Sequence, residues 1–133
     1  MDINKKRIIH EEKLSNIGFI SVKCLINMNI PLNTIKNIIG CPTTMIDAVN
    51  EGKFIQQNGL SEMQLYAIIR LKNNLHYSVE DLAHIFNKQI NVIKSIHAIP
   101  KYNFDEKTSE KIKKMIKHKN FHGAKKEAYF FCN

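Results

Sequence analysis

With 133 residues the chain has about the length of one ordinary domain, and 44% apolar side chains suffice to build a core. Its formal charge of +8 is unevenly placed: residues 1 to 106 carry twelve basic and ten acidic side chains, residues 107 to 133 eight and two, a footprint for a polyanion such as nucleic acid or an anionic membrane surface. Cys24, Cys41 and Cys132 are odd in number and far apart in sequence, which excludes a disulfide framework or a CxxC zinc knuckle and suits a reduced cytoplasmic compartment.

The N-terminus, Met1 to Glu11, begins with the basic residues of a signal peptide but meets charge before an apolar stretch develops. No later run approaches the ~20 apolar residues needed to span a bilayer. A soluble, cytoplasmic protein without membrane attachment is expected. The first helix is predicted from about Glu11 to Asn27, where Leu14, Ile17, Phe19, Ile20, Val22, Leu25 and Ile26 form an apolar stripe at helical spacing. Pro31 suits the first turn of a short helix to Ile39, because its locked dihedral is already helical. Gly40 supplies a left-handed turn, and Pro42 opens a helix ending near Glu51.

Gly52 to Gly59 reads as a connector with a possible extended piece at Phe54-Ile55. Ser61 and Gln64 fit a capping box for a helix to about Leu71. Ser78 can cap a helix from Val79 to Phe86, assisted by Glu80 and Asp81 in its first turn. Asn87 tolerates the left-handed backbone that Gly40 adopts, and a further helix is expected over Gln89 to His97. Pro100 breaks the pattern. Asp105 is a plausible cap for a lysine-rich helix from Glu106 to Lys119, with Ile112, Met115 and Ile116 inward. After Gly123 the aromatic stretch Tyr129-Phe130-Phe131 shows no clear register.

One pattern recurs. Residues 35 to 49, Ile35-Lys36-Asn37-Ile38-Ile39-Gly40-Cys41-Pro42-Thr43-Thr44-Met45-Ile46-Asp47-Ala48-Val49, match residues 82 to 96, Leu82-Ala83-His84-Ile85-Phe86-Asn87-Lys88-Gln89-Ile90-Asn91-Val92-Ile93-Lys94-Ser95-Ile96, at most apolar positions. Each copy reads as helix, tight turn, helix, the spacing of a helix-turn-helix, which makes double-stranded DNA the first partner to consider. In the second copy Leu82, Ala83, Phe86, Ile93 and Ile96 are the expected anchors, and Gln89, Asn91, Lys94 and Ser95 face outward, with His97 at the rim. Amide side chains pair bidentately with adenine, and lysine reaches guanine or phosphate. The first copy offers Thr43 and Thr44, but Asp47 and Glu51 on the same face are repelled by phosphates. It is expected to pack internally or meet a partner, with DNA contact left open. Each copy departs from the common pattern once, at Lys36 and at Lys88; a plain helical bundle with such turns is the competing reading.

Of the lysines beyond residue 106, Lys113, Lys114 and Lys117 are the expected phosphate contacts, which add affinity without sequence information. His118 and His122 share a spacing with zinc ligands, but no further donor completes a site and neighbouring lysines repel a cation, so no metal or other cofactor is expected. No phosphate loop, nucleophile elbow or paired apolar carboxylates suggests an enzyme. The aromatic end folds back or docks on another subunit; a homodimer, or a hetero-oligomer with another regulator, is the favoured expectation.

On these residues the chain resembles, over about residues 20 to 97, a tandem helix-turn-helix transcriptional regulator. Residues 45 to 55, Met45-Ile46-Asp47-Ala48-Val49-Asn50-Glu51-Gly52-Lys53-Phe54-Ile55, are similar in pattern to the FlhD-type master regulators, which implies a bacterial, plasmid or phage setting and an activator working in an oligomer. The resulting expectation is an all-α protein of about seven helices, with residues 1–106 as a tandem domain (units about 30–51 and 77–97) and 107–133 as a basic helix and aromatic tail. Its expected function is sequence-specific DNA binding; the competing class is a protein-interaction module such as an antirepressor, inhibitor or adaptor.

Overall fold

Short apolar stripes interrupted by prolines and left-handed turn residues can only make short helices, and the computed structural model is built of them. It describes residues 14–55, 58–98 and 101–132; the expectations placed on Glu11 to Lys13 and on Pro100 lie outside this set. The described residues form eight helices and no strand. The possible extended piece near Phe54-Ile55 reduces to a single antiparallel bridge between Ile55 and Ser61.

Chain contacts group these helices into two compact units, residues 1–51 with 102–133 and residues 52–101. The first contains α1 (Asn16–Asn27), α2 (Leu32–Ile39), α3 (Thr43–Asn50), α7 (Glu106–Lys117) and α8 (Phe121–Cys132). The second contains α4 (Glu62–Asn73), α5 (Val79–Ile85) and α6 (Ile90–Lys94). The two sequence copies therefore belong to different units, and the basic C-terminal helix groups with the N-terminal helices.

In the first unit Ser15 caps α1 by accepting from the Gly18 amide at 2.9 Å. Pro31 and Pro42 precede α2 and α3 without any capping side chain, as suits a residue with fixed φ and no donor. Helices α1, α2 and α3 pack on one another, and α8 lies against both α1 and α2. Gly18 lets the α8 side chain Tyr129 approach α1: an added Cβ would sit 3.1 Å from its hydroxyl and 2.9 Å from Leu14. The returning segment stacks Tyr102 edge-on against Phe19 at 5.8 Å, and Phe104 against Phe131 at 5.3 Å.

Helix α8 corrects the expectation of an unregistered aromatic tail. Asn120 accepts from the Gly123 amide at 3.0 Å at its start, and Ala124 and Ala128 are fully buried. Small side chains one helical turn apart let helices approach closely but leave little apolar periodicity to detect. Tyr129 is half-buried, whereas Phe130 and Phe131 are exposed, Phe131 with one edge on Phe104.

The second unit is a three-helix core. Leu60, Leu65, Ile68, Leu82, Ala83, Ile93 and Ile96 form one buried cluster, with Phe86 and Val92 partly buried against it. The predicted capping box is present: Ser61 accepts from the Gln64 amide and the Gln64 side chain accepts from the Ser61 amide. Ser78 caps α5 through the Asp81 amide at 3.0 Å.

The repeat is longer than its sequence signature. Each unit contains a serine-capped helix of 12 residues, α1 or α4, in which Phe19 and Val22 match Leu65 and Ile68 as buried side chains at a spacing of 46, one residue out of the register of the turns. Each then turns through a left-handed residue, Asn29 (φ 66°) or His76 (φ 59°), and after the next helix through another, Gly40 (φ 83°) or Asn87 (φ 54°). Both pairs lie 47 positions apart. Left-handed backbone is uncommon outside glycine, so its recurrence at one spacing marks a shared chain path.

Candidate nucleic-acid interface

Helix α6 is set by its buried side. Ile93 and Ile96 are buried and Val92 is half-buried, and at 100° per residue these three fill one side of the helix. Ile90, Asn91, Lys94 and Ser95 then fill the other, and all four are exposed. Gln89 is exposed as the N-cap, with extended backbone and no side-chain capping bond. His97 is exposed beyond the helix.

The helix spans Ile90–Lys94, shorter than the expected Gln89 to His97. Two local bonds end it. The Ile96 amide donates to Ile93 at 3.1 Å, three residues back, and the Ser95 hydroxyl donates to the Val92 carbonyl at 2.7 Å. Serine and β-branched residues favour such endings over helical continuation. The Ser95 proton is thereby turned onto its own helix, leaving oxygen lone pairs for any ligand.

The left-handed Asn87 and the bond from the Lys88 amide to Ala83 at 2.9 Å swing the chain between α5 and α6. Lys88 runs over the open side of Gly59, where a Cβ would collide with its ammonium. This explains a lysine at a turn position where an apolar residue was expected: the glycine leaves room for its stem. No carboxylate occurs from Leu82 to His97, the nearest preceding acids being Glu80 and Asp81 in the first turn of α5.

The corresponding surface of the first copy differs. Thr44 and Asp47 are exposed and Thr43 is half-buried. Lys36 is exposed where the second copy buries Ala83. The two exposed positions Asp47 and Lys94 correspond in the repeat and carry opposite charge.

On α7, Lys113, Lys114, Lys117 and His118 are exposed, at spacings that bring them onto one face. Glu106 and Glu110 share this face, Glu110 4.0 Å from Lys113, and Lys111 lies 3.9 Å from Glu127 of α8. Gln89, Asn91, Lys94 and Ser95 thus belong together on the second unit, whereas Lys113, Lys114 and Lys117 belong to the first.

Burial in the first unit has a chemical signature. Desolvation pushes the Cys24 thiol up to about 12, with Cys132 beside it adding to the shift. It also raises Cys41, partly offset by a backbone hydrogen bond and by Lys125, and raises Tyr129. These are core groups, poorly suited to nucleophilic work. Among the described residues no cluster of three or more His, Cys, Asp or Glu could hold a metal ion, and no helix is long and apolar enough to cross a membrane.

The sequence reading missed Ile90, exposed to 40% on the outward side of α6. A signal existed: Ile90 aligns with Thr43, so the repeat does not require an apolar side chain there. Compared with protein-family models, curated proteins and solved structures, the chain matches none.

Proposed function

We propose that the chain is a sequence-specific DNA-binding transcriptional regulator of bacterial, plasmid or phage origin, whose second unit acts as a helix-turn-helix reader with α6 in the major groove. The observation that carries the reading is the exposed, carboxylate-free side of α6, where Asn91 and Lys94 lie beside Gln89 over a buried base of Ile93 and Ile96. A three-helix unit with its last helix outward has the architecture that lets a helix enter a groove while its neighbours brace it. Gln89 and Asn91 would pair with adenine edges, and Lys94 with guanine or phosphate. The α7 lysines 113, 114 and 117 would supply sequence-independent phosphate contacts.

Selection from a random duplex pool, followed by gel shifts of the enriched sequences across a salt series, tests the proposal. An enriched motif bound at nanomolar concentration supports it. Salt-labile binding without a motif overturns it in favour of the second reading, a protein-interaction module. One observation favours that alternative: α4 exposes Met63 and Tyr66 at 56% and 44%, beside Arg70, along a shallow groove, and exposed apolar surface of this kind marks interfaces.

A further inference from the structure

We infer that Ile90 reads the C5-methyl group of thymine, so that the second unit selects a duplex step built of A·T pairs and depends on the methyl that distinguishes thymine from uracil. The inference rests on the DNA-binding reading above and deepens it by naming the base-pair chemistry.

Ile90 opens α6, and the N-terminal residues of a reading helix are those that contact base edges. It lies one turn from Lys94 and directly before Asn91, so all three share the side opposite buried Ile93 and Ile96. The reading surface is therefore an amide, a branched aliphatic group and an ammonium. In the major groove an A·T pair offers the N7 acceptor and N6 donor of adenine, the O4 acceptor and a methyl group. The amide matches the adenine edge, and the only apolar feature in the groove matches the isoleucine. A G·C pair offers the amide an incomplete partner and Ile90 no methyl.

Exposure supports the same conclusion. The core of the second unit closes without Ile90, since Leu82, Ile93 and Ile96 are already buried together. Its counterpart in the first copy is the half-buried Thr43, so packing does not dictate an aliphatic residue there.

The test takes the duplexes enriched from the random pool by the full chain and remakes them with deoxyuridine replacing thymidine at single positions. For the unaltered protein, one or two positions should lose about fourfold in affinity, the size of one buried methyl group. Ile90→Ala should bind thymidine duplexes about as weakly as the unaltered protein binds the uridine ones, and show no further loss on removing the methyl. Ile90→Val, which keeps a branched side chain, should restore the methyl dependence, and circular dichroism should show both variants as helical as the parent. Equal affinity for thymidine and deoxyuridine duplexes, or an equal methyl effect in Ile90→Ala, overturns the inference while leaving DNA binding in place. Failure to enrich any sequence overturns the DNA-binding reading and this inference with it.

Discussion

The two copies of the repeat agree where the chain path is set and differ where something else covers them. Ile35, Ile46 and Val49 are buried, as are their counterparts Leu82, Ile93 and Ile96, and Gly40 and Asn87 share a left-handed backbone. Yet Ile38 is 3% exposed and its counterpart Ile85 53%. Among the described residues α2 packs on α1, α3 and α8, whereas the main neighbours of α5 are α4 and α6. The first unit has two additional helices, α7 and α8, of which α8 packs on α2. A duplicated scaffold can thus serve as buried support in one place and leave a free surface in the other.

The largest expected difference between the copies lies at that pair. Ile38→Ala should cost about 2–5 kcal/mol in urea denaturation, as for a buried isoleucine, while Ile85→Ala should stay within about 0.5 kcal/mol. Similar losses at both would mean that Ile85 is covered in solution, and the contrast between the units would collapse. DNA binding should separate the copies next. Asn91→Ala is expected to lose about 1–3 kcal/mol of binding and to relax preference at one or two base pairs. Thr44→Ala, at the matching position beside Asp47, should leave affinity and motif unchanged. Loss at Thr44 would bring the first copy to the DNA as well.

The left-handed turns allow a smaller test. Gly40→Ala should destabilise by about 1–2 kcal/mol, because a Cβ at φ 83° meets the following carbonyl, whereas Asn87→Gly should be tolerated without loss of the fold. On α7, Lys114→Ala should weaken all sequences alike and reduce the salt slope by about 1; a sequence-dependent loss would make Lys114 a base reader instead. Alkali should act through the first unit. With the Cys24 thiol held up at about 12, the unfolded chain ionises first, so its contribution is complete below about pH 9 and disappears as pH rises toward 12. Thermal melts between pH 8 and 11 should show falling stability, and Cys24→Ala should flatten part of that slope.

Much of this was legible locally. Ser61 with Gln64, Ser78, Asp105 and the Gly40/Asn87 turns follow from caps and dihedral preferences that act within a few residues. The outward set of Asn91 and Lys94 followed from apolar periodicity. Helix α8 was not legible, because its inner face is Ala124 and Ala128 rather than large apolar groups. The full extent of the repeat was hidden too, since α1 and α4 share burial and capping but few residue types.

The amino-acid order alone determined the helical class, several caps, the left-handed turns and the buried side of helices that carry a large-apolar stripe, because those rest on backbone dihedrals and neighbours one turn away. Only the tertiary structure decided that the C-terminal hairpin joins the first unit, that Ile38 is core while Ile85 is surface, and that Ile90 stands among the outward residues of α6. Burial belongs to a position after distant segments have met, and residues brought together from far along the chain leave no periodic trace in either of them.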